Sequence, residues 1–166
     1  MNLQFYFEKL HHSEEFKKFI KENPKAYFCS GFVVIDKEKN ENKIHLDYFV
    51  PGKKKFFSFE LEKETALKDL EKFEEKNPEK ISENIDFDFK EIENIIEKEM
   101  QKQKVKNKVQ KIMLSLHKLG NKDSIIGTIF ISMLGMIKIK ISLPNKKVEE
   151  FEKKNLFDMV KISKKK

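Results

Sequence analysis

Two short stretches of the chain contain side chains that could do chemistry. The first, "KAYFCSGFVVID", places Cys29 beside Ser30, and the second, "KIHLDYFV", places His45 two residues before Asp47. A cysteine or serine nucleophile needs a histidine base within about 3 Å. His45 and Asp47 could form an acid/base pair, although a solvated strand surface would show the same two residue types. The secondary structure that carries these side chains decides between the alternatives.

An antiparallel meander of three strands is the structure that these stretches predict. Apolar residues recur with a period of two over Tyr27 to Ile35, Ile44 to Val50 and Phe56 to Leu61. The polar loop "DKEKNENK" separates the first two segments, and Pro51-Gly52 marks the second reversal. Side chains should therefore alternate between two faces of a sheet.

The register of this meander separates Cys29 from His45. With Ile35 opposite Ile44, Cys29 falls on an apolar core face. His45 then points to the opposite face, about 16 Å along the strand. Cys29 is thus predicted to be a buried packing residue. The opposite face mixes aromatic and polar side chains and is the predicted ligand or partner face; its residues are Phe28, Ser30, Phe32, His45, Asp47 and Phe49.

Helical segments are also predicted outside this meander. Ser13 is placed to cap a short amphipathic helix that ends before Pro24, and a weak helix is expected near Ala66 to Phe73. Asp88, followed three places later by Glu91, is typical of a helix start. That helix is expected to continue, with a break near Val105, through Val109 to Leu116 and to end at Gly120.

The second half of the chain repeats the layout of the first. Ile125 to Ile131, Met136 to Leu143 and Val148 to Phe151 have strand patterns, and a final helix is expected at Leu156 to Ile162. We therefore predict a single domain, 1–166, with two helix-β-β-β halves at about 1–61 and 88–163, joined by an acidic connection at 62–87. The predicted fold class is α+β, with two layers, an antiparallel sheet built from two three-stranded meanders, and helices packed mainly on one face.

The distribution of charge indicates a possible nucleic-acid surface. The formal net charge is +7, and residues 1–61, 62–99 and 100–166 carry +2, −7 and +12. All basic residues are lysine, so bidentate recognition of bases by arginine is excluded and binding would be weak and independent of sequence. On the expected helix, three lysines share a face that could contact phosphates together with two strand lysines: Lys104, Lys108, Lys111, Lys138 and Lys140. A solvated helix face, or neutralisation by the acidic segment, would explain the same residues.

Several classes of site have no support in the sequence. The five glycines are isolated, which argues against a phosphate-binding loop, and the four histidines do not have the spacing of a metal-ligand motif. No cofactor and no metal site are therefore expected. The single cysteine fits a reducing compartment, and the longest uncharged run has 14 residues, short of the ~20 that span a membrane. The N-terminus does not resemble a signal peptide, so a cytoplasmic location without a membrane span is expected.

Part of the sequence resembles a known family. "NPKAYFCSGFVVID", "LDYFVP", "LGMIKIKI" and "FEKKNLFDMVK" resemble segments of a family of small uncharacterised archaeal proteins with an α+β fold. The second half is also similar in layout to PepSY or cystatin-like domains. Neither resemblance implies an activity, because fold-level similarity does not fix function.

The sequence thus favours a non-enzymatic binding or scaffold module of unknown ligand. Its partner could be a protein or a second copy of the chain. Weak nucleic-acid binding through the lysine-rich C-terminal half is the second hypothesis, and an enzyme is the third and least favoured. A cleft that brings chemical groups together would distinguish the third from the first.

Overall fold

The computed structural model describes residues 2–62, 65–70, 76–85 and 87–155. Three helices lie in this part of the chain: α1 (Leu3–His12), α2 (Glu14–Glu22) and α3 (Phe89–Lys102). The predicted caps are confirmed at two of them. Ser13 Oγ accepts a hydrogen bond from the Phe16 N–H at 3.3 Å at the start of α2, and Asp88 Oδ1 accepts the N–H groups of the first turn of α3. The predicted final helix, Leu156 to Ile162, lies outside the described residues.

One antiparallel sheet of eight strands dominates the described chain. Its spatial order is β4-β3-β2-β1-β5-β6-β7-β8, so two four-stranded meanders meet where β1 pairs with β5. The strands are β1 (Tyr27–Asp36), β2 (Glu41–Val50), β3 (Lys55–Glu60), β4 (Ala66–Leu70), β5 (Val109–Leu119), β6 (Lys122–Ile131), β7 (Gly135–Ser142) and β8 (Lys147–Asn155).

The predicted fold class is wrong in its architecture. The protein is α+β with an antiparallel sheet, but strands make up 48% of it and helices 23%, in place of two three-stranded meanders under a helical layer. Two segments predicted to be helical are strands, β4 and β5. In β5, the apolar residues fit a helical period, but Ile112, Leu114 and Leu116 also alternate. The available partner strands β1 and β6 decide in favour of the sheet.

The face of the sheet that we call the core face carries the main buried cluster. On β1 and β2 it presents alternate apolar residues such as Val33 and Leu46, and on β5 to β7 it presents mostly isoleucine and leucine. Buried side chains of all three helices, among them Leu10, Phe19 and Ile96, belong to the same cluster. We call the opposite side of the sheet the outer face.

A β-bulge in β1 changes which residues occupy the two faces. The β1–β2 register shifts between Phe28 and Ser30, so Phe28 lies opposite Tyr48 and joins the core cluster. The predicted faces of these two residues are therefore wrong: Cys29 is buried, as predicted, but it packs on the other side of the sheet with Phe49 and Phe56. The extra residue at the bulge inverts the alternation on one side of it.

The rest of the predicted register is shifted without changing the faces. Ile44 lies opposite Val33, two residues from the predicted partner Ile35. A shift of two residues keeps every side chain on its predicted face.

Among the described residues, no helix has the length and apolar character needed to cross a membrane.

Candidate functional site

A row of polar side chains crosses the outer face at the centre of the first meander. Cross-strand pairing places Asp47 of β2 between Ser30 of β1 and Ser58 of β3. Ser30 Oγ donates a hydrogen bond to Asp47 Oδ2 at 2.7 Å. Asp47 is 7% exposed and Ser58 is 3% exposed. A carboxylate shielded to this degree requires a hydrogen-bond donor, and the bulge at Cys29 aligns Ser30 to supply one.

A second row contains charged residues next to the first. His45 lies opposite Phe32 on one side and Glu60 on the other. His45 Nε2 is 3.1 Å from Glu62 Oε1 and 3.8 Å from Glu60 Oε1. Lys68 Nζ lies 2.5 Å from Glu60 Oε1. This contact is the main reason that the pKa of the Glu60 carboxyl is lowered and the pKa of Lys68 is raised.

Strand β5 brings a serine and a histidine to the same region. Ser115 lies opposite Phe32, and its Oγ is 2.6 Å from His117 Nε2. Together the two meanders enclose a cleft of about 380 Å³ on the outer face. Its lining residues are Ser30, Gly31, Phe32, His45, Asp47, Ser58, Glu60, Lys68, Ser115 and His117.

Three side chains at the edge of this cleft could hold a metal ion. One ligand atom from each of His45, Glu60 and Glu62 lies within 4.8 Å of the others. Donor atoms around tetrahedral zinc lie about 3.3 Å apart when the bonds are about 2.0 Å. The His45–Glu62 distance is close to this value, whereas the ammonium of Lys68 already neutralises Glu60. The three donor atoms resemble those of a metal site, but the Lys68 ammonium would compete with a metal ion for the Glu60 carboxylate.

The six residues of the predicted ligand face fall into two groups, those that line the cleft and those that are buried elsewhere. Ser30, Phe32, His45 and Asp47 all line the cleft. Phe28 does not, because it is buried on the core face, and Phe49 is buried beside Cys29. Sequence reasoning missed Ser58, Glu60, Ser115 and His117. A reversal at Pro51-Gly52 would have placed Glu60 on the same face as His45. His117 was assigned to a helix, and so its place beside Ser115 was not predicted.

The five lysines of the predicted basic surface do not form a helical stripe. Lys104 and Lys108 lie in the connection between α3 and β5, and Lys111 lies in β5. Lys111 Nζ is 3.4 Å from Asp36 Oδ2. On β7, Lys140 Nζ is 3.7 Å from Glu149 Oε2, and Lys138 lies opposite Glu152 of β8. The strand lysines therefore have acidic neighbours, whereas those of the α3–β5 connection are exposed.

These features define an α+β protein with a polar cleft on one face of a large antiparallel sheet. No protein-family model matches the chain, and no curated protein matches it. Its fold is similar to that of a "putative lipoprotein" from Clostridium difficile 630, a crystal structure. The TM-score is 0.55, with 12% sequence identity over 85% of this chain and 91% of the other. At this level of identity the comparison shows a shared fold alone.

Proposed function

We propose that the protein is a non-enzymatic binding module whose ligand occupies the cleft on the outer face. The main support is that polar side chains of both meanders line this cleft. The first meander contributes Ser30, Asp47 and His45, and the second contributes Ser115 and His117. Polar groups that converge in a concave site, with one aromatic side chain beside them, are typical of small-ligand pockets. A cytoplasmic setting is part of the proposal, since one buried cysteine thiol suits a reducing compartment.

The chemistry of the lining favours a small polar ligand that donates hydrogen bonds. Asp47, Glu60 and Glu62 provide carboxylate oxygens in or beside the cleft, and Lys68 and two histidines only partly balance them. Half-buried Phe32 offers an apolar surface at the centre of the same site. A polyol or a small amine could donate to the carboxylates while its carbon skeleton lies against the ring.

An enzyme receives less support from the same geometry. The contact between Ser115 Oγ and His117 Nε2 resembles that of a nucleophile and its base. However, β5 pairs with β1 on one side and β6 on the other, so its backbone N–H groups are used in the sheet. Acyl transfer requires donors that are available to an oxyanion. The pair therefore supports ligand binding better than hydrolysis.

An NMR titration of the full chain tests the proposal. Panels of polyols and small amines are added to the ¹⁵N-labelled protein, and we expect saturable shifts at Ser30, Phe32 and His117. Ser115→Ala should weaken binding severalfold, because one hydrogen-bonding group of the lining is lost. Lys104→Gln, which does not alter a lining residue, should have no effect. Shifts confined to other surfaces would contradict the proposal. So would turnover of an activated ester that Ser115→Ala abolishes.

Weak nucleic-acid binding is the second candidate, and one observation favours it. Residues 102–108 include four lysines and no acid, and all four lysines are exposed. Binding of a generic duplex that weakens steeply with salt, and that is lost when Lys104, Lys106 and Lys108 are changed to glutamine, would support it. Binding unaffected by these changes would exclude this loop as the contact surface.

A further inference from the structure

The turn between β6 and β7 has an unfavourable sequence for its backbone conformation. Ser132, Met133 and Leu134 connect the two strands, and Met133 and Leu134 have φ angles of 63° and 57°. Where two consecutive residues of a hairpin turn lie in the left-handed region, Asn and Gly are strongly preferred at those positions. Met and Leu adopt that region only with steric strain between Cβ and the backbone.

The same two side chains are also unfavourable for a surface in water. Met133 is 83% exposed and Leu134 is 53% exposed, at the tip of the hairpin. Isolated exposed apolar residues are common, but two adjacent ones at a strained position combine two separate costs. This turn is therefore poorly explained by the stability of the fold, and an apolar environment for its tip would explain its residues.

A basic loop is fixed beside this apolar tip. The Ser132 N–H donates to the Lys108 carbonyl at 2.8 Å, and the Lys108 N–H donates to Ser132 Oγ at 3.0 Å. Asn107 Nδ2 donates to the Ser132 carbonyl at 3.0 Å, and Lys153 Nζ donates to Asn107 Oδ1 at 3.4 Å. Asn107 and Lys108, at the end of the lysine-rich segment 102–108, are thus held against the turn by hydrogen bonds.

We propose that the β6–β7 turn and the loop 102–108 form a docking surface for an anionic phospholipid bilayer. Met133 and Leu134 would enter the region between headgroups and acyl chains, and the exposed lysines would contact anionic headgroups. Membrane surfaces attract proteins through such a combination of inserted apolar area and nearby basic charge. This surface is separate from the outer-face cleft, and the proposal does not depend on the function of that cleft.

The apolar tip distinguishes a bilayer from a nucleic acid as the partner. Phosphates of a duplex would attract the lysines equally well but would leave Met133 and Leu134 in water. A bilayer provides both the negative charge and the apolar phase. The two alternatives therefore differ in whether the side chains of the turn affect binding.

Sedimentation with vesicles tests the proposal on the full chain. We expect binding to vesicles of phosphatidylcholine mixed with phosphatidylglycerol, and little binding to phosphatidylcholine alone. The double variant M133N/L134G should lower the partition coefficient roughly tenfold and, because it relieves the backbone strain, should raise the urea midpoint. Changing Lys104, Lys106 and Lys108 to glutamine should also weaken binding roughly tenfold and reduce its salt dependence.

A matched control is available at the opposite end of the sheet. Leu119, which is 42% exposed, ends β5 and precedes the β5–β6 turn, and Leu119→Asn should leave vesicle binding unchanged. The proposal is overturned if M133N/L134G binds anionic vesicles as well as the natural sequence does. It is also overturned if Leu119→Asn reduces binding equally, or if only duplex DNA is bound and M133N/L134G leaves that binding unchanged.

Discussion

Ser30 and Asp47 are joined across the β1–β2 pair by a hydrogen bond of 2.7 Å from the Ser30 hydroxyl to the buried carboxylate. Ser30→Ala should lower the free energy of unfolding by about 1–2 kcal/mol, because the carboxylate loses a donor that water can only partly replace. Urea denaturation of Ser30→Ala, Asp47→Ala and the double variant measures the coupling between the two side chains. Strictly additive effects would show that this hydrogen bond contributes nothing.

Gly127 lies on the core face where no side chain can be accommodated. A Cβ atom there would be 2.8 Å from Ile139 Cγ2 and 3.1 Å from Leu114 Cδ2. Gly127→Ala should therefore destabilise the protein by about 1–3 kcal/mol through overpacking. Gly52→Ala is the matched control, since nothing lies within 4 Å of its added Cβ, and it should change stability by less than about 0.5 kcal/mol. Equal stability of the two variants in urea would contradict this account of Gly127.

The thiol of Cys29 should be slow to react in the folded protein. It is 5% exposed, packs with Phe49 and Phe56, and donates to the Asp47 carbonyl at 3.5 Å. Reaction with a thiol reagent then requires local opening of the sheet. We expect labelling at least tenfold slower in buffer than in urea, while a cysteine placed at exposed Ser82 in a Cys29→Ala background should react at similar rates in both. Rapid labelling of native Cys29 would contradict its burial beside Phe49 and Phe56.

Asp36 should make stability depend on pH in the acidic range. The backbone N–H of Lys39, followed by the ammonium of Lys111, holds the pKa of the Asp36 carboxyl below its usual range, against the opposite effect of burial. A lowered folded pKa gives stability that is present above the unfolded value, about 3.9, and lost as the pH falls through the folded pKa. The difference in stability between the natural sequence and Asp36→Asn should be constant near neutral pH and decrease below about pH 4.

Thermal unfolding measured between neutral and acidic pH tests this dependence. Lys111→Gln should remove part of it, because the hydrogen bond from the Lys39 N–H remains. A difference between Asp36→Asn and the natural sequence that does not vary over the acidic range would contradict the prediction.

Local patterns predicted β1 to β3 and β6 to β8 but not the shape of the whole sheet. The alternation of apolar residues and the turn at Pro51-Gly52 are properties of neighbouring residues, and β1 to β3 lie close to their predicted bounds. The segment of β5 has apolar spacings compatible with a helix and with a strand. This segment forms a strand because it pairs with β1, which lies far away in the sequence.

The candidate site was predictable only to the extent that it lies on β1 and β2, the strands that carry the predicted cleft residues Ser30, Phe32, His45 and Asp47. His45 and Asp47 share a face because they are two residues apart, and this needs no knowledge of the partner strands. Ser115 and His117 reach the cleft only through the β1–β5 pairing. The bulge at Cys29 was likewise not predicted, because the residue types of the strand do not indicate it. Its one extra residue places Phe28 on the core face.

The junction of β1 with β5 has a consequence for how the chain folds. Among the strands that the structure describes, every other pairing joins strands that are consecutive in the sequence, so each meander can grow from local hairpins with little loop-closure entropy. Of these pairings, β1–β5 alone requires the chain to close a long loop that includes α3. Since non-local contacts slow folding, we expect this junction to govern the folding rate. A destabilising change at Val33 or Leu114, which face each other across it, should then slow folding more than an equal change within β7.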